Sequence, residues 1–147
     1  MYSMWSQVES FEAELAELPG VHAITDVTGF GILGHGLEMA RASGLTLRLN
    51  LADIPFLAKA EELAQQGFIT GASVRNWASY GDGAVLPTGL PDWRRHLLTD
   101  PQTSGGLLVS CTPDTAPQVL ELFARHGFAD AAIVGRMEAG AAQVVVD

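Results

Sequence analysis

Three glycines and a lone carboxylate crowd into residues 22–35, His22-Ala23-Ile24-Thr25-Asp26-Val27-Thr28-Gly29-Phe30-Gly31-Ile32-Leu33-Gly34-His35, and no other stretch constrains the chain as strongly. A short, partly β-branched segment runs into Asp26, which is flanked by the hydroxyls of Thr25 and Thr28. Gly29, Gly31 and Gly34 follow, and an apolar helical face begins at Ile32. Glycine costs about 0.5–1 kcal/mol inside a regular element, so such a run is kept where the backbone turns sharply or comes close to something. A strand, a polar turn and a helix are therefore expected here, with the turn as the candidate ligand-facing element.

The rest of the chain arranges itself around that unit. Val8, Phe11, Leu15 and Leu18 recur at helical spacing against Glu9, Glu12, Glu14 and Glu17, which predicts an amphipathic helix ended by Pro19-Gly20. Ser43-Gly44 closes the helix after the glycine turn, and Leu45 to Leu51 alternates as a half-buried strand. A helix opened by Ile54-Pro55 carries Phe56, Leu57, Ala60, Leu63 and Ala64 as core positions and stops at Gly67. Residues 68–90 read as the longest irregular part, with a helix over Ser73–Tyr80, and Pro91 to His96 as a further turn or short helix. Gly106–Cys111 then reads as a buried strand, Pro113–His126 as a helix, and Ala131–Met137 with Gln143–Val146 as a closing hairpin. Strands alternating with helices predict an α/β or α+β domain with a mixed sheet of about five strands and helices packed on it. A chain of 147 residues, 48% of them hydrophobic, suffices for one domain with a true core, residues 1–147.

Charge and composition remove several function classes. A formal charge of −9 with only eight basic residues, none clustered, leaves no surface for nucleic acid, whose binders displace counterions with grouped Lys and Arg. No window resembles a membrane span or a signal peptide, and the lone Cys111 offers no intrachain disulfide, so a soluble, cytoplasmic protein is expected. Phosphate held by so acidic a chain is expected to arrive with a divalent cation.

Two chemical readings of the turn compete. Gly29-Phe30-Gly31-Ile32-Leu33-Gly34 satisfies the dinucleotide G-x-G-x-x-G pattern, and Asp53 follows at the usual acidic position. Against it, Thr25-Asp26-Val27-Thr28 interrupts the apolar strand and sets a bare carboxylate where pyrophosphate belongs. The second reading makes Asp26 a ligand of Mg²⁺ that bridges to phosphate, an ion that takes one or two carboxylates plus phosphate and water. The alternative for Asp26 or Thr28 is that one of them caps the following helix. His22 and His35 lack partners at zinc-ligand spacing and read as core or capping histidines, and Cys111 reads as an inert strand residue. A further polar stretch, Thr99-Asp100-Pro101-Gln102-Thr103-Ser104-Gly105-Gly106, is either a self-bonded loop or a backbone nest lining the site.

Residues 25–35 and 99–108, with Gly71-Ala72-Ser73-Val74-Arg75-Asn76 between them, resemble the signatures of the selenophosphate synthetase (selenide, water dikinase) family over about residues 8 to 147. Relatives on the same ATP-dependent fold, such as aminoimidazole ribonucleotide synthetase, thiamine monophosphate kinase and hydrogenase-maturation proteins, lack both full stretches. The resemblance implies a fold like the C-terminal domain of aminoimidazole ribonucleotide synthetase. It also implies a homodimeric two-domain enzyme that makes selenophosphate, AMP and phosphate from selenide, ATP and water. On that resemblance Asp26 is a Mg²⁺ ligand, Thr25, Gly29 and Gly31 shape the phosphate side of the ATP cleft, and Asp100, Gln102 and Thr103 are undecided between loop and ligand. The family's Cys–Lys pair, glycine-rich arm and upstream aspartates belong to an N-terminal domain that does not precede Val21 here. The resemblance therefore implies a C-terminal domain with no catalytic residue of its own, inactive in isolation. A stand-alone binding or regulatory module of the same fold is the alternative.

Overall fold

The computed structural model describes residues 4–101 and 106–147, with side chains from residue 11 onward outside the gap. The chain divides into two compact units: residues 1–24 with 109–133, and residues 25–108 with 134–147. Helix α1 (Met4–Glu17) and helix α6 (Ala116–Arg125) make up most of the first. Phe11 and Leu15 of α1 are buried, as are Val119 and Leu122 of α6, the face that the period of each helix singles out. Phe11 meets Phe123 edge-on at 5.0 Å and stacks on Phe128 at 5.5 Å, contacts worth about 0.5–1.5 kcal/mol each beyond burial. Glu14 bonds His126 at 2.9 Å. Past the Pro19 stop, the Gly20 carbonyl accepts from the Thr112 amide, and a Cβ on Gly20 would sit 1.8 Å from the Thr115 hydroxyl. The helix stop and the start of the next strand thus depend on that one hydrogen side chain.

The second unit is built on a four-stranded mixed sheet in the order β3 (Ala84–Val85), β6 (Val144–Val146), β2 (Thr46–Leu49), β5 (Gly135–Glu138). Strand β2 runs parallel to β6 and antiparallel to β5. The expected closing hairpin does not form: β5 and β6 flank β2 instead of pairing with each other. Their link, residues 139–143, is longer and smaller in side chain than a tight turn, and it passes over the start of β2. There Gly140 has φ 154°, the Thr46 hydroxyl donates to the Ala141 carbonyl at 2.6 Å, and the Leu47 amide donates to Gln143. That cover also buries Thr46, so β2 is enclosed on both faces rather than half-buried. Arg48 ties the central strand to both neighbours, pairing with Glu138 at 3.0 Å and Asp147 at 2.9 Å. These bonds raise the guanidinium pKa, Asp147 contributing most, and Arg48 in turn holds the Glu138 carboxyl below its ordinary range.

A single sheet of about five strands was expected; the remaining two strands, β1 (Val21–Asp26) and β4 (Leu107–Cys111), instead make a separate two-stranded ladder. Within β4 only Leu108 is buried, so that strand is less enclosed than its apolar run suggests. Helix α2 (Gly31–Ser43) presents Leu33, Leu37 and Ala40 to the core and ends on Gly44 in the left-handed region, as the sequence predicts. Helix α3 (Ala58–Gln65) starts later than expected, because residues 51–53 first form a short turn capped by the Asn50 side chain. Ile54 and Ala64 are core, but Leu57 is 73% and Leu63 38% exposed, against expectation. The helix expected over Ser73–Tyr80 is present as α4 (Gly71–Tyr80), capped by the Thr70 hydroxyl, and the stretch around it also holds strand β3. Beyond it α5 (Asp92–Thr99) buries His96, Leu97, Leu98 and Thr99 in succession.

Candidate functional site

Strand β1 ends on Asp26 itself. Val27 extends the ladder by one bond, its amide donating to the Gly106 carbonyl at 2.9 Å. Val27 is buried whereas Asp26 and Thr28 are exposed, and the Thr28 hydroxyl lies 3.2 Å from Nε2 of His35. Thr25 is half-buried. Helix α2 begins at Gly31 behind Phe30, without any side-chain cap. Neither Asp26 nor Thr28 therefore caps the helix. Among the described residues the Asp26 carboxylate makes no hydrogen bond or ion pair.

The glycines of the turn do different work. Gly29 is exposed, and a Cβ there would meet nothing within 4 Å. Gly31 is buried at φ 70°, and a Cβ would fall 2.8 Å from the Leu98 carbonyl oxygen and 2.9 Å from that of Asp100. Gly34 faces the Tyr80 ring of α4, and Gly36 lies against Leu47 of β2. Two glycines of the G-x-G-x-x-G spacing are thus accounted for by close packing on α5 and α4. The strand before them pairs with β4 alone, and a doubly wound parallel sheet, the setting a dinucleotide needs, is absent from the described residues.

One face of α4 sews the glycine turn to the end of α5. The Asn76 amide donates to the Gly29 carbonyl at 2.9 Å and to the Thr99 carbonyl at 2.9 Å. The Ser73 hydroxyl lies 2.6 Å from that of Thr99 and 3.1 Å from Nδ1 of His96. The Thr70 hydroxyl donates to the Asp100 carboxylate at 2.8 Å, and Tyr80 donates to the Phe30 carbonyl. Burial pushes the Tyr80 phenol up to about 12, so it stays a donor at neutral pH. Burial, and then Arg95, lower the pKa of His96, whose imidazole is accordingly held neutral.

The structure therefore brings both signature stretches together as far as Pro101; Gln102 and Thr103 lie outside the described residues. Asp100 is engaged by Thr70, a bond within the fold. The 71–76 signature is the first half of α4, which begins two residues before the helix expected over Ser73–Tyr80. Its Asn76 is buried, and its Arg75 points out with no ion-pair partner among the described residues. The sequence reading missed this stripe. Its trace was a capping threonine followed by Ser73, Asn76 and Tyr80 at helical intervals, a polar face where an apolar one was sought.

His35 is buried as expected, whereas His22 is an exposed strand residue that neither caps nor packs. Cys111 is half-buried, and burial raises its thiol pKa, which keeps it protonated and unreactive. Among the described residues no group of three or more His, Cys, Asp or Glu gathers to hold a metal. The turn thus offers a single exposed carboxylate with adjacent hydroxyls, which suits one contributed ligand and not a complete cage.

The chain is 64% identical over 134 residues to the selenide, water dikinase of Rhizobium meliloti, covering 91% of this chain and 38% of that protein. It is 62% identical over 133 residues to the one of Pseudomonas straminea, covering 90% and 37%. The chain thus spans well under half the length of these relatives. Escherichia coli HypE, a hydrogenase maturation protein, shares the fold at TM-score 0.67 and 18% identity, over 95% of this chain and 35% of that one. The model of the AIR synthase related proteins, C-terminal domain, matches residues 7–147. By that match, which takes in the glycine turn, α4 and the sheet alike, the chain belongs to the family of AIR synthase related protein C-terminal domains.

Proposed function

We propose that this chain is the C-terminal domain of a selenide, water dikinase, which makes selenophosphate, AMP and phosphate from selenide, ATP and water. The observation that carries the reading is the Asp26 carboxylate, exposed and uncommitted at the end of β1, in a chain 64% identical over 134 residues to a selenide, water dikinase. Asp26 contributes one ligand to Mg²⁺, and the ion supplies charge neutralisation at the phosphates of ATP. Thr25 and the backbone of Gly29 and Gly31 line the phosphate side, and Asn76 holds that backbone in place through the Gly29 carbonyl. The remaining carboxylates, the reactive Cys or selenocysteine and its Lys come from the N-terminal domain of the same protein, in a cytoplasmic homodimer. No described helix is long and apolar enough to cross a membrane. With a protonated Cys111 and one carboxylate, the chain alone turns over no ATP.

In the longer enzyme, Asp26→Asn lowers kcat/KM for Mg-ATP by about a hundredfold or more, a loss at least as large as removing an outer partner of a metal site. The melting temperature stays unchanged, because no fold contact among the described residues is lost. Steady-state kinetics beside a thermal melt check both halves. Full activity in the variant would remove Asp26 from the site.

A further inference from the structure

Helix α5 carries Arg94 and Arg95 in its first turn, the end of a helix at which the backbone dipole disfavours cations. Each is laid on an indole. The Arg95 guanidinium lies 5.0 Å from the ring centre of Trp77 on α4, and that of Arg94 lies 5.2 Å from the ring centre of Trp93. Stacking occupies the flat face of a guanidinium, fixes its plane and leaves its N–H edge for an acceptor. Other cations of the chain have found acids: Arg48 pairs with Glu138 and Asp147, Lys59 with Glu62, Arg125 with Glu121 and Arg136 with Glu138. Arg94 is exposed and has no ion-pair partner among the described residues. Arg95 reaches Asp92 only at 3.7 Å, a carboxylate 83% exposed, and its Nε is buried with no hydrogen-bond partner among the described residues. In a chain with 17 acids to eight bases, adjacent arginines so short of carboxylates form a cationic spot on an acidic protein.

We infer that the α4–α5 face bearing Trp77, Trp93, Arg94 and Arg95 docks a short acidic peptide segment of a partner protein, its carboxylates meeting the two guanidiniums and its apolar carbons covering the indoles. Charge complementarity and size select that occupant. Nucleic acid or an anionic membrane needs a broad basic surface, whereas this one is two arginines wide within a chain of net charge −9. A run of two to four carboxylates is what it satisfies, each guanidinium edge taking one carboxylate in the paired geometry that suits arginine. Both indoles are half-buried, and tryptophan with arginine is the pairing that dominates the energetic centres of protein interfaces. The inference is independent of the reading of Asp26.

The test titrates this chain with an acetylated, amidated Glu-Glu-Leu-Glu-Glu peptide and with its Gln-Gln-Leu-Gln-Gln counterpart, following the indole N–H resonances of Trp77 and Trp93. Expected are saturable shifts of both indoles with the acidic peptide alone, and an affinity that falls as salt is raised. Arg94→Gln and Arg95→Gln each weaken binding about tenfold, while Arg125→Gln, on α6, leaves it unchanged. Arg94→Gln keeps the parent melting temperature, the residue being exposed, and so carries the result even if Arg95→Gln unfolds early. Equal binding of the glutamine peptide, or an equal loss in Arg125→Gln, overturns the inference. So does displacement of the peptide by an equal concentration of inorganic phosphate, which makes this a free-anion site. Binding of phosphatidylserine vesicles without binding of the peptide overturns it in favour of a membrane.

Discussion

Gly31→Ala destabilises the chain by about 2–5 kcal/mol, the sum of a left-handed backbone penalty of about 1–2 kcal/mol and an overpacking cost of about 1–3 kcal/mol. The residue sits at φ 70°, where an L side chain is strained whatever room it has, and here it has none. A Cβ would come within 2.8 Å of the Leu98 oxygen and the Thr99 carbonyl carbon, and within 2.9 Å of the Asp100 oxygen. All three are backbone atoms at the end of α5, so no rotamer change relieves them, and either the turn or the helix end must move. For a chain of this size the melting temperature should fall by about 10 °C. Gly29→Ala is the matched control: it lies two residues away, without positive φ and with nothing within 4 Å of its Cβ, and should change stability by under about 0.5 kcal/mol. Urea denaturation of the three proteins measures this. Equal stability of the two variants would show that the turn does not rest on α5.

The second large effect belongs to Asn76, an amide inside α4 that nothing in the amphipathic pattern calls for. Asn76→Ala removes two hydrogen bonds at 2.9 Å and strands two carbonyls, those of Gly29 and Thr99, at a side chain only 9% exposed. Leaving a buried polar group unpaired costs about 1–3 kcal/mol, so the variant should lose about 2–4 kcal/mol. Asn76→Asp should be worse, because an ionised carboxylate offers two further acceptors to two carbonyls. The loss has a local signature as well. Amides of residues 28–31 should exchange with solvent faster than those of the β2–β6 ladder, which Asn76 does not touch. Hydrogen exchange on Asn76→Ala checks this, and uniform acceleration across both regions would make Asn76 an ordinary core residue and not a clamp on the turn.

These two residues also show what the sequence made legible. The glycine turn, its strand, the helix from Gly31 to Gly44 and the amphipathic helices α1 and α6 follow from short-range rules: a period, a stop, a residue that tolerates positive φ. Asp26 stood out for the same reason, since a lone carboxylate between an apolar strand and a glycine run has no packing role. What stayed hidden depends on pairings distant in the chain. The use of Gly31 is decided by backbone some 70 residues later, and the order β5-β2-β6 by a linker that crosses over Thr46. Helix α4 was legible over Ser73–Tyr80, but the face it buries was not, because Ser73 and Asn76 lie where an apolar stripe is sought, while Val74 faces solvent at 49%. Leu57 and Leu63 misled in the opposite direction, carrying core chemistry at exposed positions.

As the proposed C-terminal domain of a selenide, water dikinase, this chain should work when grafted into a full-length relative. The most direct test is a chimera in which the chain replaces the matching segment of the Rhizobium meliloti relative, 64% identical to it, assayed for AMP release from Mg-ATP with and without selenide. Selenide-dependent AMP release comparable with that of the parent enzyme is expected. A folded, soluble chimera that releases no AMP, or releases it equally without selenide, would contradict it.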